Sequence, residues 1–150
     1  MNVVSFGGGT NSTAMIIGMY LHKIPIDLIL FADTGGEQPH TYEFMGTFNE
    51  WLVKHGIPKI VSVEYHDKDG NRLTLEQECI NSGRLPSIAY GYKKCSLKHK
   101  IGTQEKFWKA RRRNERENNR AYSERGGKGA AVSVPVCDAR PVLDWRGMRL

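Results

Sequence analysis

The sequence predicts an α/β domain with a mainly parallel sheet, and three observations support this. Apolar or β-branched segments at residues 3–6, 26–32 and 60–65 alternate with segments of helical periodicity. The segment at 26–32 is apolar almost throughout, which is typical of a parallel strand covered by helices on both faces. The 150 residues are 39% hydrophobic, enough for one core but too few for two ordinary domains. We therefore expect a single three-layer domain with Rossmann-like winding.

The first strand, Val3–Phe6, leads into the glycines Gly7–Gly9 and then into a helix. Glycine adopts positive φ readily, so this backbone can pass close to a ligand. We expect the helix to be capped by side chains of residues 11–13, and Ala14, Ile17, Gly18 and Leu21 follow at helical spacing. Its unpaired first-turn N–H groups and its dipole would then favour an anion at the glycines. The alternative is a tight strand-to-helix turn without a ligand.

The second strand, 26–32, ends in the polar segment Asp33–Glu37, which contains two glycines. In open α/β sheets ligands bind along the carboxyl edge of the strands, where this segment would lie. The alternative is that Asp33 and Thr34 only cap the helix that follows.

Further elements follow in order along the chain. A second helix begins at Pro39 and ends at Gly56, and its core stripe contains Tyr42, Met45, Phe48 and Leu52. The third strand is Ile60–Tyr65, and residues 67–71 after it form a turn. Thr74 then caps a helix that ends at Gly83. Residues 130–136 form a fourth strand. The acidic turn lacks the glutamate and flanking helices of a calcium loop, so we expect no metal site there.

The net charge of +6 is concentrated in one segment. Lys93–Lys128 carries thirteen Lys and Arg residues against four Glu, a balance of +9 that leaves −3 for the rest of the chain. Residues 109–128 contain few apolar side chains, so we expect an exposed helix that becomes a flexible loop at Gly126–Gly127. Such a segment can follow a nucleic-acid backbone, neutralise a polyphosphate or form a solvated helix face.

The glycine segment resembles the loop of the PP-loop adenine nucleotide α-hydrolase-like proteins, and within them the phosphoadenosine phosphosulfate (PAPS) reductase branch. That loop reads Ser-Gly-Gly-Lys-Asp-Ser and aligns with Gly7–Ser12, where Thr10 and Asn11 replace the lysine and the aspartate. The resemblance implies that ATP or PAPS binds here, with Mg²⁺ held more weakly than usual. The implied nucleotide-binding residues are Ser5, Phe6, Gly7, Gly8, Gly9, Thr10, Asn11, Ser12, Thr13, Asp33, Thr34 and Gly35.

A second resemblance lies in Leu85-Pro86-Ser87 and in the segment 95–101, which in that branch carry similar Leu-Pro-Ser, Cys-Ser and Lys-Ile elements. It implies that Lys98 and Lys100 contact phosphate in place of the missing loop lysine. Cys95 lies among cations that lower a thiol pKa, so it is a candidate nucleophile. The Glu-Cys-Gly-Leu-His tail of the sulfonucleotide reductases is absent and Cys137 does not match it, so we expect no reduction of PAPS.

The family's strand order would be 3-2-1-4, with the glycine loop at the switch point. Residues 140–145 resemble a Pro-Leu-x-x-Trp element of the family, and the chain stops five residues later, as a minimal or a truncated form would.

The resemblance predicts an adenine-nucleotide-binding protein that cleaves or transfers at the α-phosphate. The alternative is a nucleic-acid-associated module, such as a nucleic-acid modification or phage accessory protein, with a vestigial nucleotide pocket. The three cysteines are odd in number, and we see no membrane span or signal peptide, so we expect reduced thiols and a cytoplasmic location. Both a monomer and a homo-oligomer remain open.

Overall fold

The computed structural model describes residues 1–85 and 96–124, with residues 118, 119 and 121–124 described by their backbone alone. Its strands are β1 (Val3–Phe6), β2 (Leu28–Asp33) and β3 (Ile60–Glu64), and its helices are α1 (Thr10–Leu21), α2 (Pro39–Lys54), α3 (Leu75–Ser82) and α4 (Gly102–Glu124), with a π-helical segment, Ser96–Ile101, directly before α4. The predicted α/β class is confirmed. The predicted fourth strand, the loop at Gly126–Gly127, and residues 140–145 lie outside the described residues.

The three strands form one parallel sheet in the order β1-β2-β3. Phe6 of β1 pairs with Phe31 of β2, and Asp33 pairs with Glu64 of β3. The same neighbours occur in the 3-2-1 part of the strand order 3-2-1-4 that the resemblance implies. Because all three strands are parallel, the segments that follow them emerge at the same edge of the sheet.

Hydrophobic clusters cover both faces of the sheet. On one face, α1 and α2 pack on the alternate residues of β1 and β2 that include Phe6 and Phe31. On the other face, Leu28, Leu30, Ala32 and Val63 form a smaller cluster against Phe107 and Trp108 of α4. Every residue of β2 from Leu28 to Ala32 is buried. The apolar composition of this strand therefore has the predicted cause, because helices cover both of its faces.

Helices α2 and α3 agree closely with the sequence-based prediction. Helix α2 begins at Pro39 and buries Met45, Phe48 and Leu52. The predicted core position of Tyr42 is wrong, because this side chain is 40% exposed and its hydroxyl donates to Asp33 at the carboxyl edge. Helix α3 has Thr74 as its N-cap in a capping box with Gln77, and it ends at Gly83, whose φ is +62°. Both sets of signals are local, so they act in the same way in any tertiary context.

Helix α1 packs on the core through Ile16 and Met19, with Ile17 partly buried beside them. Its buried residues are Ile16 and Met19, whereas Ala14 and Leu21 are exposed. The helix begins at Thr10, and the course of the chain from β1 orients it so that Ile16 and Met19 face the sheet. Sequence spacing defines a candidate stripe, but the entry of the chain into the helix determines which stripe faces the core.

Helix α4 is continuous from Gly102 to Glu124, and residues 109–111 and 113–117 are exposed, as predicted for this polar segment. Among the described helices, none combines the length and apolarity that a bilayer span requires.

Candidate functional site

The loops that follow the three strands meet at the carboxyl edge of the sheet. Gly7–Gly9 follows β1, Asp33–Glu37 follows β2, and the segment from Tyr65 to Thr74 follows β3. The Gly8 backbone approaches α2 so closely that a Cβ there would lie 2.7 Å from Thr41 Cγ2. A Cβ on Gly35 would lie 2.5 Å from Thr74 Cγ2. Both glycines have positive φ, at +74° and +76°, so these two turns require glycine for conformation and for space.

Hydroxyl groups hold the glycine loop from within. The Gly7 amide donates to Ser12 Oγ over 3.3 Å, and the Ser12 hydroxyl donates to the Gly9 carbonyl over 2.9 Å. The Thr13 hydroxyl donates to the same carbonyl over 3.0 Å. Ser12 and Thr13 therefore do not cap the helix by accepting from its first amides, and the predicted capping role is wrong. Their hydroxyls bond within the loop because the N-cap position belongs to Gly9, which has no side chain.

The first turn of α1 presents backbone N–H groups without a side-chain cap. The N-cap residue is Gly9, and no side chain in the described residues caps this end. Gly9, Thr10 and Asn11 are exposed, so this turn lies at the surface. The first turn contains no acidic side chain. The arrangement leaves donors and the positive end of the helix dipole available to an anion.

Of the other loop residues, Phe6 is 1% exposed and stacks on Phe48 at a centroid distance of 5.7 Å. Its side chain belongs to the core, so only its backbone can contribute to a nucleotide site. Ser5 is exposed and Gly8 is half-buried.

Asp33 is held by three donors at the end of β2. Its Oδ1 accepts from the Gly35 amide and from the Tyr42 hydroxyl, both over 2.8 Å, and its Oδ2 contacts Arg72 Nη2 at 3.3 Å. The same Arg72 nitrogen lies 3.0 Å from Glu64 Oε1. Burial, and then the hydrogen bond to Asp33, raise the pKa of Tyr42 to about 12. Asp33 thus connects the loop after β2 with α2 and with Arg72, and its Oδ1 already accepts two hydrogen bonds from the protein.

The other predicted residue of this loop, Thr34, is 6% exposed and acts through its backbone. Its carbonyl accepts a hydrogen bond from the Leu75 amide over 3.0 Å, which fixes the start of α3 against the loop. Thr34 does not cap α2, which was the alternative role for this residue, because the N-cap of α2 is Gln38.

The two predicted phosphate-binding lysines are each paired with a carboxylate. Lys98 Nζ lies 2.5 Å from Glu78 Oε1 of α3, and Lys100 Nζ lies 3.3 Å from Glu37 Oε1 in the loop after β2. The hydrogen bond between the first pair raises the pKa of Lys98 and lowers that of Glu78. Lys98 also lies over the Tyr65 ring, at 4.7 Å from its centroid. Lys98 is therefore part of a structural cluster, whereas Lys100 reaches the edge where Asp33 lies.

His99 completes the cluster around Glu78. It is 0% exposed, its Nε2 contacts Glu78 Oε2, and its ring lies 4.8 Å from that of Tyr65. Its Nδ1 is buried without a hydrogen-bond partner among the described residues. His99, Glu78 and Tyr65 are functional candidates that sequence reasoning missed. Nothing in their spacing could have revealed them, because Glu78 and His99 are 21 positions apart.

The residues at this edge offer a poor protein site for Mg²⁺. Asn11 stands where the resembled loop has an aspartate, and the carboxylate of Asp33 is engaged by Gly35, Tyr42 and Arg72. Within the described ranges, no group of three or more His, Cys, Asp or Glu side chains is placed to hold a metal. A magnesium ion would therefore have to be held mainly by the phosphates of a bound nucleotide.

Two grooves among the described residues lie away from the glycine loop. A groove of about 480 Å³ lies between β3 and α4 and is lined by residues that include Tyr65, Lys106 and Phe107. A second groove of about 270 Å³ lies between the ends of α1 and α2 and includes Tyr20 and His55. The glycine loop lines neither of these two grooves. Cys95, Pro86 and Ser87 lie outside the described residues.

Comparisons of the chain with protein-family models, with curated proteins and with solved structures gave no match in any of the three. The functional argument therefore depends on the geometry of the carboxyl edge and on the short motifs described above.

Proposed function

We propose that this chain binds an adenine nucleotide, ATP or PAPS, with its phosphates on the backbone amides from Gly8 to Ser12, in a PP-loop fold of the PAPS reductase-like type. The observation that carries the proposal is the first turn of α1, which presents exposed amides with no side-chain cap and no acidic residue. This turn opens on the carboxyl edge of a parallel sheet, the usual ligand-binding edge of such folds. The adenine base is implied by the resemblance of the loop.

The proposal assigns different roles to the two lysines. Lys100 is 48% exposed and its pair with Glu37 is 3.3 Å long, so a phosphate group can take the place of that carboxylate at small cost. Lys98 is bound more closely to Glu78 and packs on Tyr65. We therefore assign the phosphate contact to Lys100, and we assign Lys98 to positioning of the segment that carries Lys100.

The reaction implied by the resemblance is cleavage or transfer at the α-phosphate. An amide cradle and one mobile cation can stabilise charge that develops on phosphate oxygens. For ATP, water or an acceptor hydroxyl would attack the α-phosphorus, and pyrophosphate would leave. Cys95 remains a proposed nucleophile because neighbouring cations in the sequence would lower the pKa of its thiol, and we propose no reduction of PAPS by this chain.

The test of binding is calorimetry with AMP, ATP and PAPS at low ionic strength. Asn11→Asp adds a negative charge to the cradle, and an acid in the first turn of a helix does not destabilise it. We expect this variant to weaken binding in magnesium-free buffer by about tenfold or more, equivalent to ~1.4 kcal/mol. Added Mg²⁺ should restore part of the affinity. The matched control is Asn114→Asp, at an exposed position of α4.

Absence of binding by all three nucleotides would refute the proposal, as would equal affinities for the two variants. The reaction is tested separately. Adenylate or pyrophosphate released from ATP supports it. Sulfite formed from PAPS and reduced thioredoxin, and abolished in Cys95→Ser, would contradict it.

A further inference from the structure

Helix α4 is longer than its contact with the sheet requires. Its 23 residues span about 35 Å at 1.5 Å per residue, whereas a six-residue strand such as β2 spans about 20 Å. Its contacts with the core come from its first turns, where Thr103 is buried and Phe107 and Trp108 pack on the cluster around Leu30. Residues 113–117 and Arg120 are exposed. Residues 113–117 and Arg120 therefore contribute surface and not core.

Five exposed cations lie along one side of α4, at Lys106, Lys109, Arg113, Arg116 and Arg120. Their spacing of three, four, three and four residues keeps them within an arc of about 80° on a helix with 3.6 residues per turn. We call this set the α4 stripe. It extends about 21 Å along the helix axis, and its centre lies roughly 140° from the direction of Phe107. The centre of the stripe thus points away from the sheet, whereas Lys106 at its beginning lies over the Tyr65 ring, 5.8 Å from the ring centroid.

The ion pairs of α4 involve the beginning of the stripe and not its outer part, which comprises Arg113, Arg116 and Arg120. Lys109 pairs with Glu105 at 2.7 Å, and Arg111, which lies off the stripe, pairs with Glu115 at 3.2 Å. Among the described side chains, Arg113, Arg116 and Arg120 have no ion-pair partner. An ordinary solvated helix tends to mix both signs at i,i+4 spacing, as those two pairs do. Glu117 lies four residues after Arg113, yet no ion pair joins these two among the described side chains.

We propose that the α4 stripe binds the phosphate backbone of a nucleic acid without reading its sequence. A row of guanidinium groups suits this ligand because each fork can donate two parallel hydrogen bonds to a phosphate. A membrane surface is a poorer fit, since the exposed residues 109–117 include no large apolar side chain that would enter the lipid. The site is separate from the glycine loop, and the inference does not depend on nucleotide binding.

The test is fluorescence anisotropy of the full chain with labelled single-stranded and double-stranded oligonucleotides of mixed sequence over a range of salt concentrations. The stripe variant carries Arg113→Gln, Arg116→Gln and Arg120→Gln, and the control carries Lys54→Gln, Lys59→Gln and Lys68→Gln. Both variants remove three positive charges, and the three control residues are exposed and lie outside α4. Glutamine has a helix propensity close to that of arginine, and circular dichroism verifies that α4 is retained.

The slope of log affinity against log salt is negative, and each phosphate that an arginine neutralises makes it steeper by about 0.9 on double-stranded DNA. We therefore expect the stripe variant to make the slope shallower by up to about 2.7. The control should change the slope little. Equal effects of the two variants would overturn the inference, because net charge alone would then explain the binding. Absence of wild-type binding at low salt would also overturn it, as would tighter binding to polyglutamate, which would indicate an acidic protein partner.

Discussion

Glu78 connects two elements that are distant in sequence, and its removal tests the cluster directly. Its carboxylate contacts Lys98 through one oxygen and the buried His99 through the other. Glu78→Ala would leave His99 Nε2 without its acceptor, in a side chain that is 0% exposed and whose Nδ1 already has no described partner. Lys98 is 39% exposed and can turn to water.

The expected cost follows from these environments. An unpaired buried polar group costs about 1–3 kcal/mol, and a partly exposed ion pair contributes about 0–1 kcal/mol. We therefore expect Glu78→Ala to lower the free energy of unfolding by roughly 2–3 kcal/mol. For a chain of this size that corresponds to a fall in Tm of about 4–12 °C. Glu78→Gln keeps one acceptor oxygen and should cost less.

The pH dependence of this contribution has a definite sign. The Lys98 hydrogen bond lowers the pKa of folded Glu78 from its ordinary value of 4.5. The stabilisation is therefore present above pH 4.5 and disappears as the pH falls through the depressed pKa. The difference in stability between wild type and Glu78→Ala should shrink over that acidic range.

Urea unfolding followed by circular dichroism measures these changes, with Glu76→Ala as the control. Glu76 is exposed on the same helix, and no described contact involves its side chain. If Glu78→Ala and Glu76→Ala have the same midpoint, the cluster does not stabilise the fold and the argument from buried polar groups is wrong.

Three further predictions concern the carboxyl edge. Gly8→Ala should destabilise the fold by about 1–2 kcal/mol from positive φ alone, plus the clash with Thr41 Cγ2, so the destabilisation measured in urea should be smaller in a Thr41→Ser background. Spectrophotometric titration of wild type against Tyr42→Phe should find Tyr42 near pKa 12, and Asp33→Asn should lower this pKa. The contribution of Tyr42 to stability is present below pH 10 and disappears as the pH rises through 12. Lys100→Gln should weaken ATP binding in calorimetry yet leave the urea midpoint nearly unchanged, because its pair with Glu37 is exposed; an unchanged ATP affinity would remove Lys100 from the site.

Local signals in the sequence determined much of the fold. Thr74, Gln77 and Gly83 mark both ends of α3 because a capping box and a left-handed C-cap need only neighbouring residues. The apolar segment of β2 likewise predicted burial on both faces. The glycine loop and the carboxyl-edge position of Asp33 followed from the strand-turn-helix order. These features depend on contacts within a few residues, or on the general geometry of parallel sheets.

The tertiary structure decided which side chains meet. Asp33 and Arg72 are 39 positions apart, and Lys100 reaches Glu37 across 63 positions. It also decided that α1 buries Ile16 and Met19, and that Ser12 and Thr13 bond within the loop instead of capping the helix. The physical reason is that a helix signal specifies periodicity but not the direction from which the sheet approaches. An ion pair across the edge depends on where two distant backbones are placed, and one sequence without coordinates does not contain that distance.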